Sequence, residues 1–396
     1  MSSILIGDIA DIVSKGTTPT SVGLSFAQQG IPFLRGEDVV GRAIDFSKVA
    51  MFVDEVTHQS LHRSELKYGD VLITIAGTIG RIGFIQEQDL IANCNQAVAF
   101  VRSDISKIDP EWLCYLLQSP SYQDKFAKFV AGGAIPNVSL QQIRSIQIPN
   151  SPIESQRKIA TGLKAQLAEV ETARHAAQLQ LSDVHLLRAR MLKAFFAKLD
   201  SIPKKRLGDY AHTTSGVTPS RSNAAYWQPA EVAWVKTGEI DFSPITYVNE
   251  SISKKALAEC SLSLLPPKTV LIAITGEGKT RGRSAVLEVS ATTNQHSVAV
   301  LPNEIWDAEF LQLWLQASYQ DLRDLSEGRG GSRSALTGGH IRNLEIPAPT
   351  TSEQQQLVAH IKTALTEIDT LEQSSKTVLA DIEKLPARIL AQAFEK

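Results

Sequence analysis

The chain has 396 residues, 43% of them hydrophobic and 21% charged, with a formal net charge of −2. That length suggests two or three domains, and the composition is that of a globular protein able to bury real cores. The near-neutral balance excludes a global basic field, so any nucleic-acid binding must rest on local patches or on a partner. Cys94, Cys114 and Cys260 are isolated and odd in number, with neither disulfide nor metal spacing. The amino terminus lacks a basic segment followed by an apolar run, and no stretch has the apolar length of a membrane span. A soluble, cytoplasmic protein is the expectation.

Along the chain, residues 1–150 mix short β-rich runs ("VLITIAG", "QAVAFV", "SIQIP") with turns, and one amphipathic helix is expected over "PEWLCYLLQSPSYQDKFAKFV". From Ser151 to Glu154 the sequence reads as a capping box with proline at the first helical position. A helix of about 45 residues, ~65–70 Å long, follows. Its apolar stripe is read as Ile159, Leu163, Leu167, Val170, Ala173, Ala177, Leu181, Val184, Leu187, Met191 and Phe195. After the short linker "DSIPKK" the whole pattern begins again.

The repeat is long and ordered. "LIGDIADIVSKGTTPT" is answered by "RLGDYAHTTSGVTPS", "IPFLRGEDV" by "VAWVKTGEI", and "GDVLITIAGTIG" by "KTVLIAITGEGK". Asn95-Gln96 is answered by Asn294-Gln295, and "IRSIQIP" by "IRNLEIP". The offsets stay between 198 and 201: Gly7 to Gly208, Gly77 to Gly276, Ile143 to Ile341. Residues 201–349 thus repeat 1–150, and 350–396 repeat the long helix of 151–200. The second helix has its own box, Thr350 to Glu353, and the matched stripe is Leu357, Ile361, Leu365, Ile368, Leu371, Ser375, Leu379, Ile382, Leu385, Ile389 and Ala393. Pro386 is expected to kink its last turns. Stripes of this length need partners of equal length, so the two helices are expected to pair, antiparallel, between two similar heads. The expected fold is α+β: two similar mixed α/β recognition domains joined by long antiparallel coiled-coil helices, in a pseudo-two-fold repeat. Two similar heads on a spacer suit a rigid ligand with two half-sites, and DNA is the natural case.

The "GTTPT"/"GVTPS" turns, "IPFLRGEDV" with "WVKTGEI", "GDVLITIAGTIGRIG" and the repeated Ile-Pro run into a long helix resemble the specificity subunit of type I restriction–modification enzymes. The resemblance covers the whole chain in the order recognition domain, long helix, recognition domain, long helix. It implies a non-catalytic subunit in which each head reads half of a split asymmetric DNA target, while the helices set the spacing and dock two methyltransferase subunits. Restriction and translocation subunits could join them. S-adenosylmethionine, ATP and magnesium would then belong to the partner subunits, with no cofactor or metal on this chain.

Direct readout calls for Arg, Lys, Asn or Gln on loops, and phosphates call for cations or backbone N–H groups. The candidates in the first head are Lys15, Thr17, Thr18, Arg35, Arg81 and Asn137. Those in the second are Thr218, Lys236, Lys279, Arg281, Arg283, Arg329 and Arg333. Other chemistry reads weakly. His58 and His62 lack the glutamate of a zinc-protease helix, so a surface pair is expected, and Glu37-Asp38 reads as a loop feature. "LIAITGEGKT" approximates a phosphate-binding loop, but "RGRSAVLEVS" after it is β-like where such a loop opens a helix. A nucleotide-binding protein and a purely structural coiled-coil scaffold are the competing readings.

Overall fold

The computed structural model describes residues 2–41, 44–86, 91–130, 137–276, 278–326 and 335–395. The chain forms two compact units: Met1–Gln178 with Thr377–Lys396, and Leu179–Lys376.

In the first unit the head is built on strands β1 (Ser3–Leu5), β2 (Ala10–Lys15), β3 (Ile31–Leu34), β4 (Phe52–Val53), β5 (Glu65–Leu66), β6 (Val71–Thr74), β7 (Ile82–Phe84), β8 (Ala92–Cys94), β9 (Val98–Ser103) and β10 (Gln147–Pro149). One antiparallel sheet has the order β2-β9-β6-β7, a second the order β4-β3-β8-β5, and β1 pairs with β10. The first sheet is a wall buried on both faces. Side chains alternate across it: Val71, Ile73, Ala99 and Val101 enter one core with Trp112 and Leu116, whereas Leu72, Val98 and Phe100 enter the other with Leu34 and Leu66. This is why "VLIT" and "VAFV" read as unbroken apolar runs.

The second unit repeats the plan with β11 (Lys204–Arg206), β12 (Thr213–Ser215), β13 (Val232–Val235), β14 (Ser251–Ile252), β15 (Val270–Ala273), β16 (Ser284–Val286), β17 (Thr292–Thr293), β18 (Ser297–Val300) and β19 (Glu345–Pro347). Its sheets run β12-β18-β15-β16 and β14-β13-β17, with β11 on β19. Where the first head has β5 on β8, the second keeps a single bridge, Leu265 to Ala291. The same alternation recurs, with Val270, Ile272, Val298 and Val300 on one side and Leu271, Ala273 and Ala299 on the other.

The helix expected over 110–130 is two helices, Pro110–Gln118 and Pro120–Val130. Pro120 disfavours helical backbone at Ser119, which is where the break falls. The matched pair is Ala308–Ala317 and Tyr319–Asp324.

The long helices are Ile153–Ala197 and Thr351–Phe394. In the first unit, Ala160 and Leu163 share a core with Leu390, and Trp112 meets Phe394 edge-on at 6.2 Å. In the second unit, Leu192 and Phe196 share a core with Val358 and Ile361, and Phe196 meets Phe310 at 5.5 Å. The start of one helix thus lies beside the end of the other within each unit, which makes the pair antiparallel.

The stripe differs from the expected one in detail. One covered row on the first helix is Gln156, Ala160, Leu163, Leu167, Val170, Arg174, Ala177, Leu181, Val184, Arg188 and Met191, in alternating steps of four and three, and the expected Ile159 and Phe195 are part-buried beside it against the two cores. Ala173 and Leu187 face outward, and Arg174 and Arg188 take their places. The matched substitution on the second helix is Glu372 for Leu371. The alternating steps keep one row on the seam, and long arginine stems can lie along it while their charges find partners. Arg188 bonds Asp369 and Glu372 (3.1 Å), and Glu372 also takes Lys376 at 2.7 Å. Pro386 lies inside a helix that continues through it.

The second helix begins with the expected box: Thr350 N donates to Glu353 Oε2 at 2.8 Å, and Glu353 N donates to Thr350 Oγ1 at 3.4 Å. The first does not repeat it, because Glu154 bonds Arg157 instead. Both helices are tied to their heads by a glutamine near their start. Gln156 accepts from Asp109 N at 2.9 Å and donates to Ser151 O at 2.8 Å and Lys107 O at 3.2 Å. Gln354 accepts from Asp307 N at 2.8 Å and donates to Ile305 O at 2.7 Å and Pro349 O at 2.9 Å. Both side chains are fully buried.

Candidate nucleic-acid interface

In the first head β3 and β8 are parallel, so the chain leaves both at one edge. Three further segments gather there. Asn95 N donates to Leu34 O at 2.9 Å, Thr17 N to Cys94 O at 3.1 Å, Ile75 N to Ala97 O at 2.8 Å and Val138 N to Ile75 O at 3.0 Å. Asn137 bridges Ala76, and the Thr18 hydroxyl donates to the side-chain Oε1 of Gln96. Lys15, Thr17, Thr18, Arg35 and Asn137 therefore share one rim with Asn95-Gln96. Gly16 is required by this crossing: a Cβ there would lie 1.9 Å from Cys94 O.

The second head builds the same rim. β13 and β17 are parallel, Val217 N donates to Thr293 O at 3.1 Å, Ile274 N to His296 O at 2.9 Å and Leu336 N to Ile274 O at 2.9 Å. Thr218 Oγ1 donates to Gln295 Oε1 at 2.6 Å, and Thr237 Oγ1 to Asn294 Oδ1 at 2.8 Å. A Cβ on Gly216 would lie 1.6 Å from Thr293 O. The Asn-Gln pairs, visible in the sequence only as matched letters, are the posts on which the Gly-Thr-Pro turns rest.

The carboxylates after β3 and β13 close turns. Arg35 N donates to Asp38 Oδ2 at 2.7 Å, and Lys236 N to Glu239 Oε2 at 2.8 Å. The Arg35 guanidinium pairs with Glu37. Lys236 Nζ lies 2.9 Å from Glu250, which also grips Arg221. The Arg221 contact, then Lys236, holds the Glu250 carboxyl down at about 2, against an ordinary 4.5.

The phosphate-loop look-alike resolves into a hairpin. β15 enters a turn closed by Gly282 N on Ala273 O at 2.9 Å, and strand β16 follows, not a helix. From behind, Tyr319 donates to Lys279 O at 2.7 Å and Arg323 to Gly278 O at 2.7 Å. Lys279 is exposed. Arg281 is not the exposed loop cation expected of it, at 3% accessible, and Arg283 is half-buried with its guanidinium 5.9 Å from the Phe242 ring centre. Arg81 is half-buried, its N–H bonded to Thr74 Oγ1 at 2.9 Å. Arg329 and Arg333 lie outside the described residues.

His58 is not a simple surface partner of His62: its Nδ1 lies 2.6 Å from the buried Asn93 Oδ1. Burial pushes the Cys94 thiol far above its ordinary range, away from nucleophilic use. Among the described residues no group of three or more His, Cys, Asp or Glu is placed to hold a metal, and no helix is long and apolar enough to cross a membrane.

The model of the type I restriction modification DNA specificity domain matches residues 2–180 and again 202–380. The chain belongs to that family. The two matches coincide with the two copies of the head and most of each long helix. Among curated specificity subunits, this family member is 25% identical over 155 residues to that of the type I restriction enzyme EcoR124I/EcoR124II of Escherichia coli, covering 39% of this chain and 38% of the relative. It is 27% identical over 206 residues to the MjaIX specificity subunit of Methanocaldococcus jannaschii, covering 50% and 45%. These alignments thus span less than half the length of either relative. A solved chain from a structural study of complex assembly and conformational transition in a type I restriction–modification system superposes with a TM-score of 0.73 at 18% identity, covering 99% of this chain and 97% of that one. At that identity the likeness speaks for the fold alone, over nearly the whole length of both chains.

Proposed function

We propose that this chain is the DNA-specificity subunit of a type I restriction–modification enzyme. Each head reads one half of a split, asymmetric target, and the paired helices set the spacing and dock two methyltransferase subunits, with restriction subunits joining the larger complex. Catalysis, with S-adenosylmethionine, ATP and magnesium, resides on those partners, and this chain contributes recognition. The observation that carries the reading is the repeated rim: one loop frame built twice, with different side chains on it. Arg35 stands where the second head has Lys236, and the hairpin tip "TIGR" stands where it has "EGKT". A common frame with divergent decoration is what two related readers of different half-sites require.

Co-expression with its methyltransferase partner followed by methylome sequencing tests this. A split motif with two unlike halves is expected. A continuous palindrome, or no methylation, overturns the two-headed reading.

A further inference from the structure

We propose that Glu250 is a built-in competitor for DNA phosphate in the second head, holding Arg221 and Lys236 in the free protein and restraining non-specific binding. The inference rests on the reading that this head binds DNA, and it adds two residues, Arg221 and Glu250, that the sequence did not single out.

The Arg221 guanidinium lies 3.6 Å from the ring centre of Trp227 and 5.4 Å from that of Trp234. Stacking on indole holds the planar group still and leaves its N–H edge to meet an anion. The platform is part of the rim: Trp227 Nε1 donates to Ser220 O at 3.0 Å and Trp234 Nε1 to Val217 O at 3.1 Å, both in the Gly-Val-Thr-Pro-Ser turn. Lys236 directly precedes Thr237, which bonds Asn294 on the same rim.

Two cations from two loops thus converge on one small anion, an arrangement suited to a phosphate oxygen pair as well as to a carboxylate. Here the anion is Glu250, whose side chain is 22% exposed against 55% for Arg221 and 48% for Lys236. With its carboxyl held near 2, it stays ionised at any working pH. DNA must displace it, so isolated phosphate contacts gain little and only a complex with enough other contacts does. At the matched places the first head has Met51 for Glu250 and Ser21 for Arg221, and its Arg35, at the place of Lys236, is held by Glu37 alone among the ion pairs of the described residues.

The test uses the full chain, in the complex in which it purifies, and fluorescence anisotropy with a short random-sequence duplex over a salt series. Glu250→Gln is expected to bind about 3-fold to 10-fold tighter, and Arg221→Ala several-fold weaker with a salt slope lower by about one unit. The gain from Glu250→Gln should shrink in the Arg221→Ala background. Glu250→Met, which copies the first head, should match Glu250→Gln and guards against a fault of one variant. Unchanged or weaker binding by both Glu250 variants overturns the inference while the wild type still binds. A wild-type complex that binds no duplex overturns the DNA reading itself, and the inference with it.

Discussion

Both heads carry an ion pair on the rim, Arg35 with Glu37 in the first and Arg221 and Lys236 with Glu250 in the second, and the first also keeps one inside its frame. In the first, Arg102 grips the fully buried Asp70 with two bonds of 2.7 and 2.6 Å and reaches Glu65 O at 3.0 Å. At the matched places the second head has Leu301 and Thr269, the latter bonding Pro266 O at 2.8 Å. On the rim the partner changes: Glu250 gathers Arg221 and Lys236 where the first head has Met51, and Arg35, at the place of Lys236, pairs with Glu37. The backbone does not register the change on the rim. Phe33 N donates to Met51 O and Trp234 N to Glu250 O, each at 2.9 Å. The lesson is that the rim backbone tolerates a change of the charges it carries, so the two heads can diverge in what they touch there on a common frame.

The interior pair gives the largest way to break this comparison. Arg102→Ala strands the Asp70 carboxylate in the core and should cost about 3–5 kcal/mol. Hydrogen exchange should show protection lost in the first head and kept in the second. Loss in both would mean that the heads do not hold their shapes independently.

The buried glutamines sharpen the comparison from the other side, since here the heads agree. Gln156→Ala and Gln354→Ala each leave a buried N–H and carbonyls without partners, at about 2 kcal/mol apiece. Chemical denaturation should find the two costs alike. A clearly unequal pair would show that matching bonds do not carry matching weight.

The smallest effect belongs to Glu250. Its carboxyl lies lower in the folded chain, at about 2, than its ordinary 4.5, so its contribution is present above pH 4.5 and is lost as pH falls toward 2. Because the group faces solvent, that contribution is on the order of 1 kcal/mol or less. Comparing acid unfolding of the wild type with Glu250→Gln isolates it: the wild type should lose more stability across that window. An identical acid limb would mean that the carboxylate is not held as tightly as its two partners imply.

The repeat, the two heads, the paired long helices and the Gly-Thr-Pro turns were legible because each leaves a periodic or duplicated mark. Gly16 and Gly216 stand at matched places, and only glycine fits where the turn crosses the strand end. Arg174 and Arg188 have no place in an apolar stripe, yet their stems and ion pairs let them sit on the seam in place of Ala173 and Leu187. Arg281 was misread the other way: a cation in a Gly-rich loop suggests exposure, and here the loop folds it in. Arg221, Trp227 and Glu250 leave no local signal at all, because 29 positions separate Arg221 from Glu250 along the chain.

By itself the sequence determined that one domain is written twice, that each copy ends in a helix too long for its own head, and that the long apolar runs such as "VLITIAG" and "QAVAFV" form strands. Those properties follow from pattern along the chain, where burial on one or both faces imposes a period on side-chain type. Only the tertiary structure decided which side chains share a rim, which charges are spent on each other, and that each head is closed by the far end of the other copy's helix. Such pairings join residues remote in sequence, and no period records them.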